Sequence, residues 1–259
     1  MTTKKVLSLG WGVQSFTIAC MSALGELEPL DIVLHADTTH EMQATYEFAK
    51  EWTPWLRERG VNVITVCAHN NDVFSHTPEK NIPVVYIPAF TQDGDGHVNG
   101  MLKRECTQDW KVAPMREYLR VYRRDAVIEM WLGITIDEIQ RMRHSDVKYI
   151  VNRYPLIEKR MSRTNCVMWL QNNGIDVPSK SSCVFCPFHK TGDWCYMKDA
   201  GGRDWRDAIT TDELIRKARP PYDLFLFDGC VPLASITTPK EAGQLEMPLD
   251  VCDSGYCFV

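Results

Sequence analysis

Short apolar, β-branched runs alternate with longer stretches of helical spacing along the first half of the chain. Residues 5–9 read as a short buried strand, and residues 14–24 as a helix. Residues 32–36 (IVLHA) form a second strand that ends at Asp37. Between residues 41 and 59, Tyr46, Ala49, Trp52 and Leu56 recur at helical spacing, and Gly60 stops that helix. Residues 61–67 (VNVITVC) give a third strand and residues 84–90 a fourth. Residues 111–122 read as a helix and residues 126–135 (AVIEMWLGIT) as a further strand. Strands alternating with helices predict an α/β fold: a doubly wound, mostly parallel sheet with right-handed crossovers and ligands at the C-terminal strand ends.

The texture changes after Asn165. Cysteine, proline, glycine and tryptophan become more frequent and clear strands vanish. Residues 1–165 are therefore expected to form the α/β domain, and residues 166–259 a smaller, irregular, Cys-rich C-terminal region. The polar stretch 92–99 (QDGDGHVN) reads as a turn.

Composition narrows the function classes. The net charge of −5 excludes a globally basic nucleic-acid binder and leaves room for a local basic face. Arg116, Arg120, Arg123, Arg124, Arg141, Arg143, Lys159, Arg160 and Arg163 could supply one as a phosphate-binding rim. No stretch approaches the roughly 18–20 apolar residues of a membrane span. The start, MTTKKVLSLGWG, has no apolar region followed by a cleavage site, so a cytoplasmic protein is expected. Ten cysteines without a secretory signal point to metal or thiol chemistry rather than a disulfide framework.

The stretch SLGWGVQSFTIAC places glycines between the first strand and the first helix. Such a turn gathers backbone N–H groups at the positive end of a helix dipole, and glycine lets an anion approach them. Ser15 can add a hydroxyl donor. The lysine of GxxxxGK[ST] is missing, and so is the GxGxxG pattern with a distant acid, which excludes Walker A and dinucleotide sites. An ordinary strand-to-helix bend remains the alternative.

Here the chain resembles a known family. Gly10-Trp11-Gly12-Val13-Gln14-Ser15 is similar to the PP-loop (S-G-G-x-D-S) of adenine nucleotide alpha-hydrolases. More narrowly, the chain resembles the phosphoadenosine phosphosulfate (PAPS) reductase-like branch, which includes DNA and RNA sulfur-modification relatives. Asp37-Thr38-Thr39-His40-Glu41 resembles D-T-G-x-E, and CTQDWKVAP, with Cys106, Lys111 and Pro114, resembles the family's cysteine–lysine–proline segment. Gly133 to Glu138 with Arg141 resembles G-x-R-x-x-E-S-x-x-R, Tyr154-Pro155-Leu156-Ile157 the "PL" segment, and Cys183-x-x-Cys186 the late cysteine pair. Trp11, Gln14 and Thr135 depart from the family's usual glycine, aspartate and arginine.

The resemblance implies an HUP/PP-loop fold and an enzyme that binds ATP, adenylates a substrate and releases pyrophosphate during sulfur transfer to a nucleic acid or nucleotide. Reduction of adenylyl sulfate (APS) or PAPS is the alternative reaction, and a non-enzymatic nucleotide-binding protein with structural zinc is the third reading. Ser8, Gly10, Trp11, Gly12, Val13, Gln14, Ser15, Asp37 and Gly133 would bind the nucleotide with Mg²⁺. Asp37, Lys111, Glu138 and Arg141 would act in catalysis. Cys106, Cys166, Cys183 and Cys186 would hold a [4Fe–4S] cluster, or Zn²⁺ if His189 takes part. Cys252 and Cys257 in the tail, DVCDSGYCFV, would act as redox or sulfur-relay thiols, although E-C-G-x-H is missing there. A sulfur-donor protein and a nucleic acid are the macromolecular partners this reading implies.

Overall fold

The computed structural model describes residues 2–76, 83–238 and 241, which form two compact units. The first unit takes in Met1–His69 and Asp109–Ser181. In chain order it carries β1 (Thr2–Ser8), α1 (Val13–Ala23), β2 (Ile32–Asp37), α2 (Gln43–Glu58) and β3 (Val63–Cys67). The second unit then contributes β4 (Phe74–His76), β5 (Pro83–Val85), β6 (Phe90–Gln92) and β7 (Val98–Met101). The first resumes with α3 (Ala113–Leu119), β8 (Ala126–Trp131), β9 (Ile150–Arg153), α4 (Pro155–Glu158) and α5 (Arg163–Asn172). The second unit closes with α6 (Thr191–Ala200), α7 (Gly202–Ile215) and β10 (Asp223–Phe225).

The central sheet of the first unit is all-parallel, in the order β3-β2-β1-β8-β9. Its side chains alternate between two apolar layers. Leu7, Val33 and Trp131 face a core with Val13, Phe16, Met21, Trp52, Leu56, Cys166 and Leu170, from α1, α2 and α5. Val6, Ile32, Leu34, Ile128 and Met130 face Met115 and Leu119 of α3. The register Leu7↔Val33 on one side and Leu7↔Trp131 on the other keeps each layer continuous across β1. Strand order reverses between β1 and β8, so the loops leaving those two strands flank the point where open α/β sheets bind ligands.

The second unit holds two antiparallel sheets, β10-β6-β7 and β4-β5. The expected single strand over residues 84–90 is instead split into β5 and β6, in different sheets. Pro88 lies between them and has no N–H for a ladder. The polar stretch 92–99 is the turn of the β6–β7 hairpin. The expected boundary at residue 165 also differs. It falls inside the first unit, because α5 buries Cys166 and Leu170 in the first core. Past that helix the chain is largely helical rather than irregular: α6 and α7 together span most of residues 191–215.

Candidate functional site

The loop leaving β1 enters α1 with Gly12 as N-cap in an extended conformation and no side-chain cap. The first loop-to-helix backbone bond is Phe16 N–H to the Gly12 carbonyl. Among the described residues, none of the N–H groups of residues 11–15 donates to another group. The loop shape is set from within: Gly10 N–H donates to Ser15 Oγ (3.1 Å), and Ser15 Oγ donates to the Gly12 carbonyl (3.3 Å). From the far end of the unit, Ser181 Oγ donates to the Gly10 carbonyl at 2.5 Å. A row of unsatisfied N–H groups on a helix N-terminus is an anion-binding arrangement.

Two residues explain how the loop holds this form. Trp11 has φ 58°, a conformation costly for a bulky side chain. Its ring is buried against Phe16, His35 and Phe48, with centroids 6.0, 6.3 and 6.4 Å away, so core burial offsets the strain. Gly133, just past β8, lies so close to α1 that a Cβ there would meet Ser15 N at 2.7 Å and Ser15 Cα at 2.9 Å. Only glycine lets the β8 loop sit against the first turn of the helix. A Cβ on Gly12, in contrast, would meet only Ser181 Cβ, at 3.8 Å.

Acidic and basic side chains at the C-terminal strand ends are paired. Asp37 accepts from Thr39 N–H (2.7 Å) and from Tyr46 Oη (2.8 Å). Burial, and then the Asp37 carboxylate, push the Tyr46 phenol up, so it stays a donor. Glu41, 2 % exposed, takes Lys111 Nζ at 3.1 Å, and Ser181 Oγ lies 3.5 Å from its other oxygen. That buried pair ties the β2 end to the turn before α3. Glu138 pairs with Arg141 at 2.7 Å. Asp137 accepts Arg163 N–H at 2.6 Å, while the Arg163 guanidinium donates to Gln14 Oε1 at 3.1 Å. Next to Asp37, a cavity of about 410 Å³ is lined by Trp11, His35, Tyr46, Lys50 and Thr65 among others. Burial holds the His35 imidazole below its usual range, and its Nδ1 lies 3.1 Å from the Leu9 carbonyl.

No protein-family model matches the chain, and no curated protein matches it in sequence. It is similar in fold to a solved phosphoadenylyl-sulfate (PAPS) reductase from Candida auris, in its phosphate complex. The identity is 11 %, the match covers 69 % of this chain and 75 % of that one, and the TM-score is 0.41.

The structure thus brings Gly10, Trp11, Gly12, Val13, Gln14, Ser15 and Gly133 together at the switch point. Asp37 and Lys111 are joined to the same end of the sheet through Tyr46 and Glu41. Ser8 is the last residue of β1, and its Oγ lies 3.6 Å from Met115 Sδ on the α3 side. Glu41, Ser181 and Tyr46 are additions to the expected site, and Arg163, expected only as part of a basic rim, reaches Gln14. Glu41 was visible within the D-T-T-H-E motif; Ser181 and Tyr46 carried no signal.

The carboxylates beside the loop use only part of their oxygens: Asp37 takes both of its hydrogen bonds on Oδ1, and Glu138 meets Arg141 through Oε1. Carboxylate oxygens are the donors a hard dication takes, and Asp37, at the end of β2, is the residue that could hold the expected Mg²⁺.

The expected four-thiolate set does not fit. Cys166 is fully buried in the first core, where burial pushes its thiol up to about 12, so it is a neutral core residue. Cys106, Cys183 and Cys186 are partly exposed and belong to the second unit. Cys183 and Cys186 sit in one turn, closed by Cys186 N–H to the Cys183 carbonyl at 3.1 Å. His189 Nε2 lies 3.0 Å from that same carbonyl, and its ring packs edge-on to Trp194. Tetrahedral Zn–S bonds of about 2.3 Å hold sulfurs about 3.8 Å apart. Among the described residues, the one group of three His, Cys or acidic side chains with ligand atoms within 4.8 Å of one another is Asp93, Asp95 and His97, on the β6–β7 turn. Cys252 and Cys257 lie outside the described residues.

The basic rim also dissolves into separate parts. Arg116 pairs with Asp146, and Arg120 faces Glu117 at 3.9 Å. Arg120, Arg123 and Arg124 precede β8 and so lie at the opposite end of the sheet from the loop. No helix of the described residues is long and apolar enough to cross a membrane.

Proposed function

We propose that the chain is a PAPS reductase-like PP-loop enzyme that binds ATP through the loop at residues 10–15 and adenylates a substrate for sulfur transfer. The observation that carries this reading is the row of unsatisfied N–H groups on residues 11–15, walled by Gly133, at the topological switch point. These groups would neutralise the phosphate chain and the charge that builds on leaving pyrophosphate, with no reorganisation at the moment of reaction. Lys111, held by Glu41, and Arg141, held by Glu138, would keep the flanking motifs in place. Asp37, fixed by Tyr46, would orient the adenosine end. Mg²⁺ would come bound to the phosphates, with Asp37 as the protein carboxylate near it.

Reduction of APS or PAPS is the second reading. It is favoured by Gln14 at the loop position where a metal-binding carboxylate would stand, because thiolate attack on sulfur with loss of the nucleotide needs no divalent cation. Cys252 and Cys257 are the candidate thiols for it. Cys106, Cys183 and Cys186 are proposed as metal ligands independently of the loop; a bound cluster would supply redox or sulfur chemistry, and zinc a fold staple.

Calorimetry with ATP, APS and PAPS tests the loop: Gly12→Val should abolish binding while leaving the protein folded, and equal affinity in the two proteins would remove the reading. Pyrophosphate release from ATP against sulfite release from APS and PAPS separates the reactions, and a chain ended after Pro248 should keep the former. Anaerobic purification with iron, zinc and sulfide analysis tests the thiols. Cys183→Ser should lose bound metal, whereas Cys166→Ala should keep it.

A further inference from the structure

We propose that the cleft between α2 and the β2–β3 side of the sheet is a second ligand site, and that it takes a nucleoside monophosphate whose base carries an amino group. Its polar groups come from α2, β2 and β3 alone, so the site does not depend on ATP binding at the loop of residues 10–15.

The cleft is open because helix and sheet meet there through polar residues. His35 and Thr65 are register partners on β2 and β3, on the same sheet face as Val33 and Val63, which pack into the first core. Opposite them α2 presents Tyr46, Lys50, Thr53 and Arg57, spaced as one helix face. An apolar stripe at these positions would close the helix onto the sheet. Instead a volume of about 410 Å³ stays open, in the size range of small-molecule sites.

Three features set the ligand. His35, 7 % exposed, lies on the sheet floor. Its Nδ1 is 3.1 Å from the Leu9 carbonyl, which can only accept, so Nδ1 carries the proton. Burial holds the ring neutral, which leaves Nε2 as an acceptor with no protein partner among the described residues. A buried acceptor selects a ligand that brings an N–H to it. Trp11, Tyr46 and Pro54 offer flat surface beside it, which suits a planar heterocycle. Lys50 and Arg57 are exposed, and neither has an acidic partner among the described residues; Arg59, in contrast, lies over the Trp55 ring and beside Glu58. The seven-residue step from Lys50 to Arg57 is about 10 Å along the helix, a length that suits an extended ligand ending in a phosphate rather than a single small carboxylate. An amino-bearing base on His35 with its phosphate on the α2 cations satisfies all three.

Calorimetry with AMP, IMP, CMP and UMP tests the site. Within each pair the bases differ by an amino group against a keto oxygen at one ring position. Wild type should prefer AMP over IMP and CMP over UMP by about tenfold to a hundredfold, the cost of leaving a buried acceptor unmet. His35→Phe should erase that preference. The double variant Lys50→Ala/Arg57→Ala, confined to exposed helix surface, should weaken AMP and CMP by about fivefold to tenfold and leave adenosine and cytidine unchanged. Gly12→Val should bind CMP as wild type does. Equal wild-type affinity for the amino and keto partners, or unchanged monophosphate affinity in the double variant, overturns the proposal. So does loss of CMP and AMP binding in Gly12→Val, since the cleft would then be part of the loop's own nucleotide site. If ATP binds wild type and neither CMP nor AMP does, the cleft fails and the loop reading stands. CMP binding that persists where ATP does not bind supports the cleft and removes the loop reading alone.

Discussion

Gly133→Ala adds one methyl group at the tightest backbone approach in the candidate site. The new Cβ would lie 2.7 Å from Ser15 N, 2.9 Å from Ser15 Cα and 3.1 Å from Gln14 C. All three are main-chain atoms at the start of a helix whose next turns are packed in the core, so no side-chain rotation relieves the clash. Either the β8 loop or the first turn of α1 must move. Overpacking of this kind costs about 1–3 kcal/mol, which for a chain of this size lowers Tm by about 2–12 °C. The displaced turn carries Gln14 and Ser15 N–H, so nucleotide affinity should also fall by about tenfold to a hundredfold, as expected for losing a hydrogen bond to a charged group. Gly12→Ala is the matched control. At φ −86° and with its nearest neighbour 3.8 Å away, an added methyl is compatible with the backbone, so stability should stay within about 1 kcal/mol of wild type while affinity falls. Differential scanning calorimetry and nucleotide titration on both variants give the two readouts. A Gly133→Ala protein with wild-type Tm and wild-type affinity would refute the close approach and the loop geometry built on it.

Lys111→Met should leave Glu41 buried without its cation and cost about 3–5 kcal/mol in denaturant unfolding; the double variant Lys111→Met/Glu41→Gln should recover most of that, and a single-variant loss under about 1 kcal/mol would contradict the pairing. Trp11→Gly removes a buried indole worth about 3–5 kcal/mol and relieves left-handed strain of about 1–2 kcal/mol, so a net loss of about 1–4 kcal/mol is expected; a stabilised variant would show the ring is not an anchor. His35 is held neutral by burial, its folded-state pKa below the unfolded value. The unfolded chain therefore binds the extra proton first: stability is fully present above about pH 6.5 and is lost as pH falls below it, with a slope of at most about 1.4 kcal/mol per pH unit. Denaturant midpoints between pH 7.5 and 5 should show this slope in wild type and lack it in His35→Phe.

The sheet of the first unit was legible because parallel strands buried on both faces are written as near-continuous apolar runs, as IVLHA and AVIEMW are, while the partly exposed edge strand VITVC was marked by its β-branched residues. β9 was not, since IVNR is four residues long and only its first is buried. The helices of the second unit escaped for a different reason. The face of α7 that turns inward carries Asp212 and Thr211 beside Ala208 and Ile215, so its helical stripe is partly polar. Asp212 is buried because it accepts Leu226 N–H (2.9 Å) and Leu233 N–H (3.1 Å), contacts with segments that follow it in the chain. A hydrophobic-period argument assigns such a residue to the surface. The same blindness applies at the loop. Gly10 and Gly12 announced bare backbone, but whether the flanking charges are available depends on partners distant in sequence: Glu41 for Lys111, across 70 residues, and Gln14 for Arg163, across 149. A motif records which charges are present and not what each one holds. The chemistry at this sheet end is set by those pairings.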